Sequence, residues 1–128
     1  MNTKSKIVLS GLAGAVLGAV AMQGLHAQGT PKAYLVTETE VLDAAALTAF
    51  SPLARAAIEA AGGRRLAPAG GKTVALVGEA PKRVGISEWD SLEKAQAYRN
   101  SEAFKKLAPQ RDKAIKTVRS YAIEGIAK

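Results

Sequence analysis

From residue 32 onward, the chain alternates between two spacings of apolar side chains, one suited to strands and one to helices. Lys32–Val41 opens with Tyr34, Leu35 and Val36 in succession and continues with Thr and Glu, a strand pattern. Asp43 is a good N-cap for a helix over Ala44–Ala61. Leu47, Phe50, Ala54, Ala57, Ile58 and Ala61 fall on one stripe of that helix. Pro52 lies inside it and predicts a kink, or a restart with Pro in the first turn. Gly62-Gly63 predicts the end of the helix, one Gly taking the left-handed cap. Arg64–Ala67 is a second strand, interrupted by Pro68 and Gly70-Gly71. Thr73–Gly78 is expected to continue it or pair with it, before a turn over Glu79–Lys82.

Arg83–Trp89 is the strand around which the rest is arranged. It carries Val84, Ile86 and Trp89 among small residues, with no Pro. Asp90 and Ser91 then offer side chains to free first-turn amides, and Glu93 stands three residues after Asp90, as in a capping box. The spacing predicts a helix over Leu92–Tyr98, broken at Asn100-Ser101. Ser101 caps a further turn carrying Phe104 and Leu107. Pro109 marks another break, Gln110–Ile115 a short helix, and Thr117–Gly125 the last strand.

The order is β-α-β-β-α-β, the ferredoxin-like split βαβ arrangement of the α+β class. It places two helices on one face of a four-stranded antiparallel sheet. A sheet with one wet face should alternate apolar and polar residues. Tyr34-Leu35-Val36, Val74-Ala75-Leu76-Val77 and Tyr121-Ala122-Ile123 are instead apolar on both faces. The open face therefore needs a cover, and the simplest is a second copy of the sheet, giving a two-fold homodimer.

Residues 1–27 read differently. Lys4 and Lys6 form a positive head, Ile7–Met22 is uncharged and apolar, and Leu25-His26-Ala27 ends on a small residue. That is the layout of a secretory signal peptide, with residues 28–128 as the single mature domain. The expected location is periplasmic or secreted. The alternative, an uncleaved anchor in the inner membrane, is disfavoured because 16 apolar residues fall short of the roughly 20 that span a bilayer. The mature protein is expected to leave the membrane and to lose 27 residues, which an intact mass of the exported protein checks.

Cleavage also changes the available chemistry. Lys4 and Lys6 leave with the leader, taking two from the formal charge of +7 and leaving +5. An exported location points away from nucleic acid, and the moderately basic charge leaves attraction to anionic ligands or membrane surfaces open. The lone His is His26, the Met residues are Met1 and Met22, and there is no Cys. A chain cut after Ala27 has none of the three. The usual zinc and copper ligand sets, Ser-His-Asp and Cys-His catalysis, and disulfides are excluded, and no cofactor is expected. Gly70-Gly71-Lys72-Thr73 is not a phosphate loop, because Leu66 stands where the earlier Gly is required.

Tyr34, the Gly62-Gly63-Arg64 turn, the Arg83–Trp89 strand, the run Tyr98 to Phe104 with Arg111 behind it, and Glu124-Gly125 together resemble the bacterial family catalogued as domain of unknown function 1330. The resemblance spans Lys32–Gly125. It implies a dimeric α/β barrel, in a superfamily that also holds cofactor-free monooxygenases of aromatic polyketides, lactone isomerases and haem-dependent enzymes. Trp89 departs from the pattern, where Phe is expected. The leader is an addition to the common short form.

Five residues stand out as site candidates. Glu88, if desolvated, would have a raised pKa and serve as a general base; otherwise it pairs with Arg83 or with an Arg of a neighbouring strand. Arg83 and Arg111 are candidate clamps for an anion or enolate, and Tyr34 and Tyr98 candidate pocket walls and donors. The structural alternatives are strand-end salt bridges for the arginines and core rings for the tyrosines. The functional readings are small-molecule binding, cofactor-free catalysis with Glu88 as base, and a module without turnover.

Overall fold

The computed structural model describes residues 29–127. The expected signal peptide and its cleavage site lie outside the described residues. Residues 31–126 form one compact unit.

Strand β1 (Ala33–Val41) leads into helix α1 (Ala44–Ala60), which is capped by Asp43 through a 2.7 Å hydrogen bond from the Ala46 amide. Pro52 lies within α1, and the helix runs through it. Gly62, at φ +95°, turns the chain out of the helix, a conformation open to Gly without steric penalty. Strand β2 (Arg64–Ala67) follows, then a long loop, then β3 (Val84–Trp89).

The second helical segment is divided as the Ser and Pro positions predict. Helix α2 (Leu92–Arg99) is capped by Ser91, α3 (Glu102–Lys106) by Ser101, and α4 (Ala108–Ala114) carries Pro109 in its first turn. The cap of α2 is Ser91, which accepts from the Lys94 amide, and not Asp90 as the capping box suggested. Asp90 instead accepts from Lys32 Nζ at 2.7 Å. That bond and the Lys32 charge hold the Asp90 carboxyl below the ordinary carboxylate range. Strand β4 (Ile115–Glu124) completes the unit.

The strands lie in the order β2-β3-β1-β4, all antiparallel, with the helices on one face. This is the expected ferredoxin-like order. One expectation fails. Thr73–Gly78 is not a strand: Gly71 closes a turn onto the Pro68 carbonyl, Thr73 donates to the Pro81 carbonyl, and Val74, Leu76 and Val77 are exposed. Pro68 and Gly70-Gly71 break the pairing before the apolar run can join the ladder.

Pleating sorts the side chains. Ala33, Leu35, Thr37 and Thr39 of β1 face the helices, as do Gly85, Ser87 and Trp89 of β3. Tyr34, Val36, Glu38, Val84, Ile86, Glu88, Tyr121 and Ile123 belong to the open face by register, where Tyr121 and Ile123 are half exposed or more. A bulge between Glu38 and Thr39 in the β1–β4 pairing shifts the facing of β4, so that Thr117 lies opposite Thr39 on the helix side.

The core beneath the helices comes in two parts. One gathers Leu35, Trp89, Ala95 and Tyr98, with the Trp89 and Tyr98 rings stacked at 4.9 Å. The other gathers Phe50, Ala114 and Ile115, with Leu47, Ala54 and Leu107 against them. The functional interest lies in the space that both parts border.

Candidate functional site

A cavity of about 150 Å³ opens between the sheet and the helices, and it draws its apolar walls from both core groups: Leu35, Ile58 and Phe104 from one, Leu47, Phe50 and Leu107 from the other. Its polar lining is unusual. Five arginines reach it, namely Arg55 of α1, Arg65 of β2, Arg83 before β3, Arg99 of α2 and Arg111 of α4, and no Asp or Glu lines it.

Each Arg is delivered by local geometry. Arg55 follows Leu47 by two helical turns and shares its stripe on α1. Arg65 lies opposite Ser87, so the alternation of β2 points Arg64 to the open face and Arg65 to the helices. Arg83 continues the β1–β3 ladder through its carbonyl, which accepts from the Thr39 amide at 2.8 Å, and its guanidinium donates to Thr39 Oγ1 at 3.3 Å. The guanidiniums of Arg99 and Arg111 lie 4.3 and 4.1 Å from the centre of the Phe104 ring. Arg111 also donates to the Phe104 carbonyl at 3.1 Å.

These charges are poorly compensated. Among the described residues, Arg55, Arg65, Arg83 and Arg99 have no carboxylate within 4.0 Å, and Arg111 has only the exposed Asp112 at 3.9 Å. Burial lowers the pKa of Arg83, with the charge of Arg65 adding to it. Burial likewise lowers Arg99, with Arg111 adding to it. Burial pushes the Tyr98 phenol up, against the pull of Arg99 and Arg111.

Of the five sequence candidates, the fold brings Arg83, Tyr98 and Arg111 together around the cavity. It leaves Glu88 and Tyr34 outside. They are register partners on the open face, and Glu88 is paired with Arg64 at 3.0 Å rather than with Arg83. The reason is the pleat: Trp89 is buried against the helices, so its neighbour Glu88 must point the other way. Sequence reasoning missed Arg55, Arg65 and Arg99. Arg55 carried a readable signal, a charge set within an apolar helical stripe.

The fold defines a ferredoxin-like α+β domain with a basic cavity under its helices. The chain belongs to the family described as domain of unknown function (DUF1330), whose model matches residues 32–126. A protein of unknown function from Rhodopseudomonas palustris is similar in structure, with a TM-score of 0.59 at 15% identity over 75% of this chain and 83% of that one. The methylated form of the same RPA0582 protein gives a TM-score of 0.58 at 15% identity, over 76% of this chain and 82% of that one. At this identity the likeness is one of fold. No curated protein matches the chain.

Proposed function

We propose that this domain binds a small organic anion in the cavity between its sheet and its helices. The observation that supports this is the set of five arginines around one space without a lining carboxylate. Arg83 and Arg99 are part-buried with no carboxylate partner, and an anion that accepts hydrogen bonds from the cavity's arginines offsets the cost of that burial. The planar fork of Arg suits a carboxylate, which it can hold through two parallel bonds. A volume of about 150 Å³ also limits the ligand: an apolar cavity of that size holds a molecule about as large as benzene.

Binding fits the lining better than turnover does. The residues facing the cavity offer no carboxylate and no His, and the one phenol, Tyr98, is pushed away from neutral pH. A base for proton abstraction is therefore missing from the lining. Thermal unfolding with a panel of small carboxylates and their neutral amides tests the reading. A carboxylate at 100 times its Kd is expected to add about 2.7 kcal/mol of stability, a rise of roughly 10 °C for a domain this small. The gain should shrink with salt, and it should be smaller in Arg83→Gln than in the parent. A panel in which amides stabilise as well as carboxylates would sink the proposal.

The working unit in this reading is a homodimer. Tyr34, Val36, Ile86, Tyr121 and Ile123 form an apolar sheet face that a single chain leaves open, and a second copy presents the same face to it. Light scattering at micromolar concentration should give twice the chain mass, and Ile123→Asp should give the single mass. A stable monomer of the unmodified protein would count against the assembly and leave the cavity untouched.

A further inference from the structure

The five arginines come from two layers of the fold. Arg65 and Arg83 belong to the sheet layer: Arg65 is a β2 residue paired with Ser87, and Arg83 is fixed to β1 by both its carbonyl and its guanidinium. Arg99 and Arg111 belong to the helical layer, on α2 and α4, and are gathered by one ring, Phe104. The cavity lies between these layers and is bordered by Leu35, Phe50, Ile58 and Leu107, which offer no hydrogen bonds from their side chains. Arg55 and Arg65 also border a second, open surface groove.

We infer that the ligand is a short dicarboxylate, with one carboxylate held by Arg65 and Arg83 on the sheet and the other by Arg99 and Arg111 beneath the helices. The inference rests on reading the cavity as an anion site and adds the number and placement of the anionic groups. A monocarboxylate satisfies one pair and leaves the other part-buried pair without an anion. A phosphate group carries two charges but concentrates them at one end. A chain of four or five carbons with a carboxylate at each end places its methylenes against the apolar walls and a charge at each pair. The electrostatics agree with this division: the basic neighbour that acts on Arg83 is Arg65, and the basic neighbour that acts on Arg99 is Arg111.

Calorimetry on the purified protein distinguishes these cases with succinate, glutarate, butyrate, the half-amide succinamate and inorganic phosphate. Succinate or glutarate is expected to bind at least tenfold tighter than butyrate or succinamate. In both Arg83→Gln and Arg99→Gln that advantage should disappear, while butyrate binding survives at the intact pair. Arg99→Lys, which keeps the charge over Phe104, should retain part of it. Equal affinity for succinate and butyrate overturns the two-ended assignment while leaving the anion site standing, as does phosphate binding tighter than either dicarboxylate. Failure of every anion to bind overturns the anion site itself. The ligand series is read on the unmodified chain, so the assignment stays testable even where a variant does not fold.

Discussion

Trp89→Ala is expected to remove about 3–5 kcal/mol of folding stability, the range for truncating a large buried aromatic. Trp89 is 1% exposed and is the largest fully buried side chain among the described residues. Its ring stacks on Tyr98 at 4.9 Å, and Tyr98 in turn meets Phe104 edge-on at 5.5 Å. Its indole N–H donates to Ser87 Oγ at 2.9 Å, so truncation also strips a partner from a buried hydroxyl. Small domains have a total stability of about 5–15 kcal/mol, so this one change should leave the chain marginal at 37 °C. Urea unfolding followed by far-ultraviolet circular dichroism reads it, because the chain has a single Trp and fluorescence is lost with it. Loss of less than about 1 kcal/mol would show that the ring is not the centre of the core.

The same residue shows how far the sequence carries. The strands around Tyr34 and Trp89, the Ser91 and Ser101 breaks and the Gly62 turn are local signals, and each sits within a residue or two of its expected place. Two readings depended on what the chain meets in space. Val74–Val77 has the composition of a strand, but Pro68 and Gly70-Gly71 keep it off the ladder, and composition cannot register a missing partner. Asp90 is a competent cap, but Lys32, 58 residues away, takes its carboxylate.

The site divides in the same manner. Arg83 and Arg111 were legible as candidate anion clamps, and Tyr98 as a candidate pocket wall, and all three line the cavity. Glu88 attracted a catalytic reading because it is a carboxylate in an apolar strand. The alternation that buries Trp89 already directs Glu88 to the open face, beside Arg64 and Tyr34. Arg65 and Arg99 could not be read as site residues, because their convergence depends on β2 pairing with β3 and on α2 lying over the sheet.

Gly63→Ala is expected to destabilise the fold by about 1–3 kcal/mol, through overpacking rather than through backbone strain. A Cβ at position 63 would stand 2.5 Å from Trp89 Cζ2, 2.7 Å from Trp89 Cη2 and 2.8 Å from Ile58 Cγ2. None of these atoms is the free end of a flexible chain: the indole is enclosed and hydrogen-bonded, and Ile58 packs against the same core group. The neighbouring Gly62 serves as the control. Its φ is positive but nothing lies within 4 Å of its Cβ position, so Gly62→Ala should act through the backbone alone, at about 1–2 kcal/mol. A double-mutant cycle separates the two causes. Trp89→Phe removes the part of the ring that meets position 63, so Gly63→Ala should be better tolerated in that background, with a coupling of about 0.5–3 kcal/mol. Gly62→Ala should be no better tolerated there than in the parent. An unchanged penalty for Gly63→Ala in the Phe background would assign the effect to the turn and release Trp89 from it.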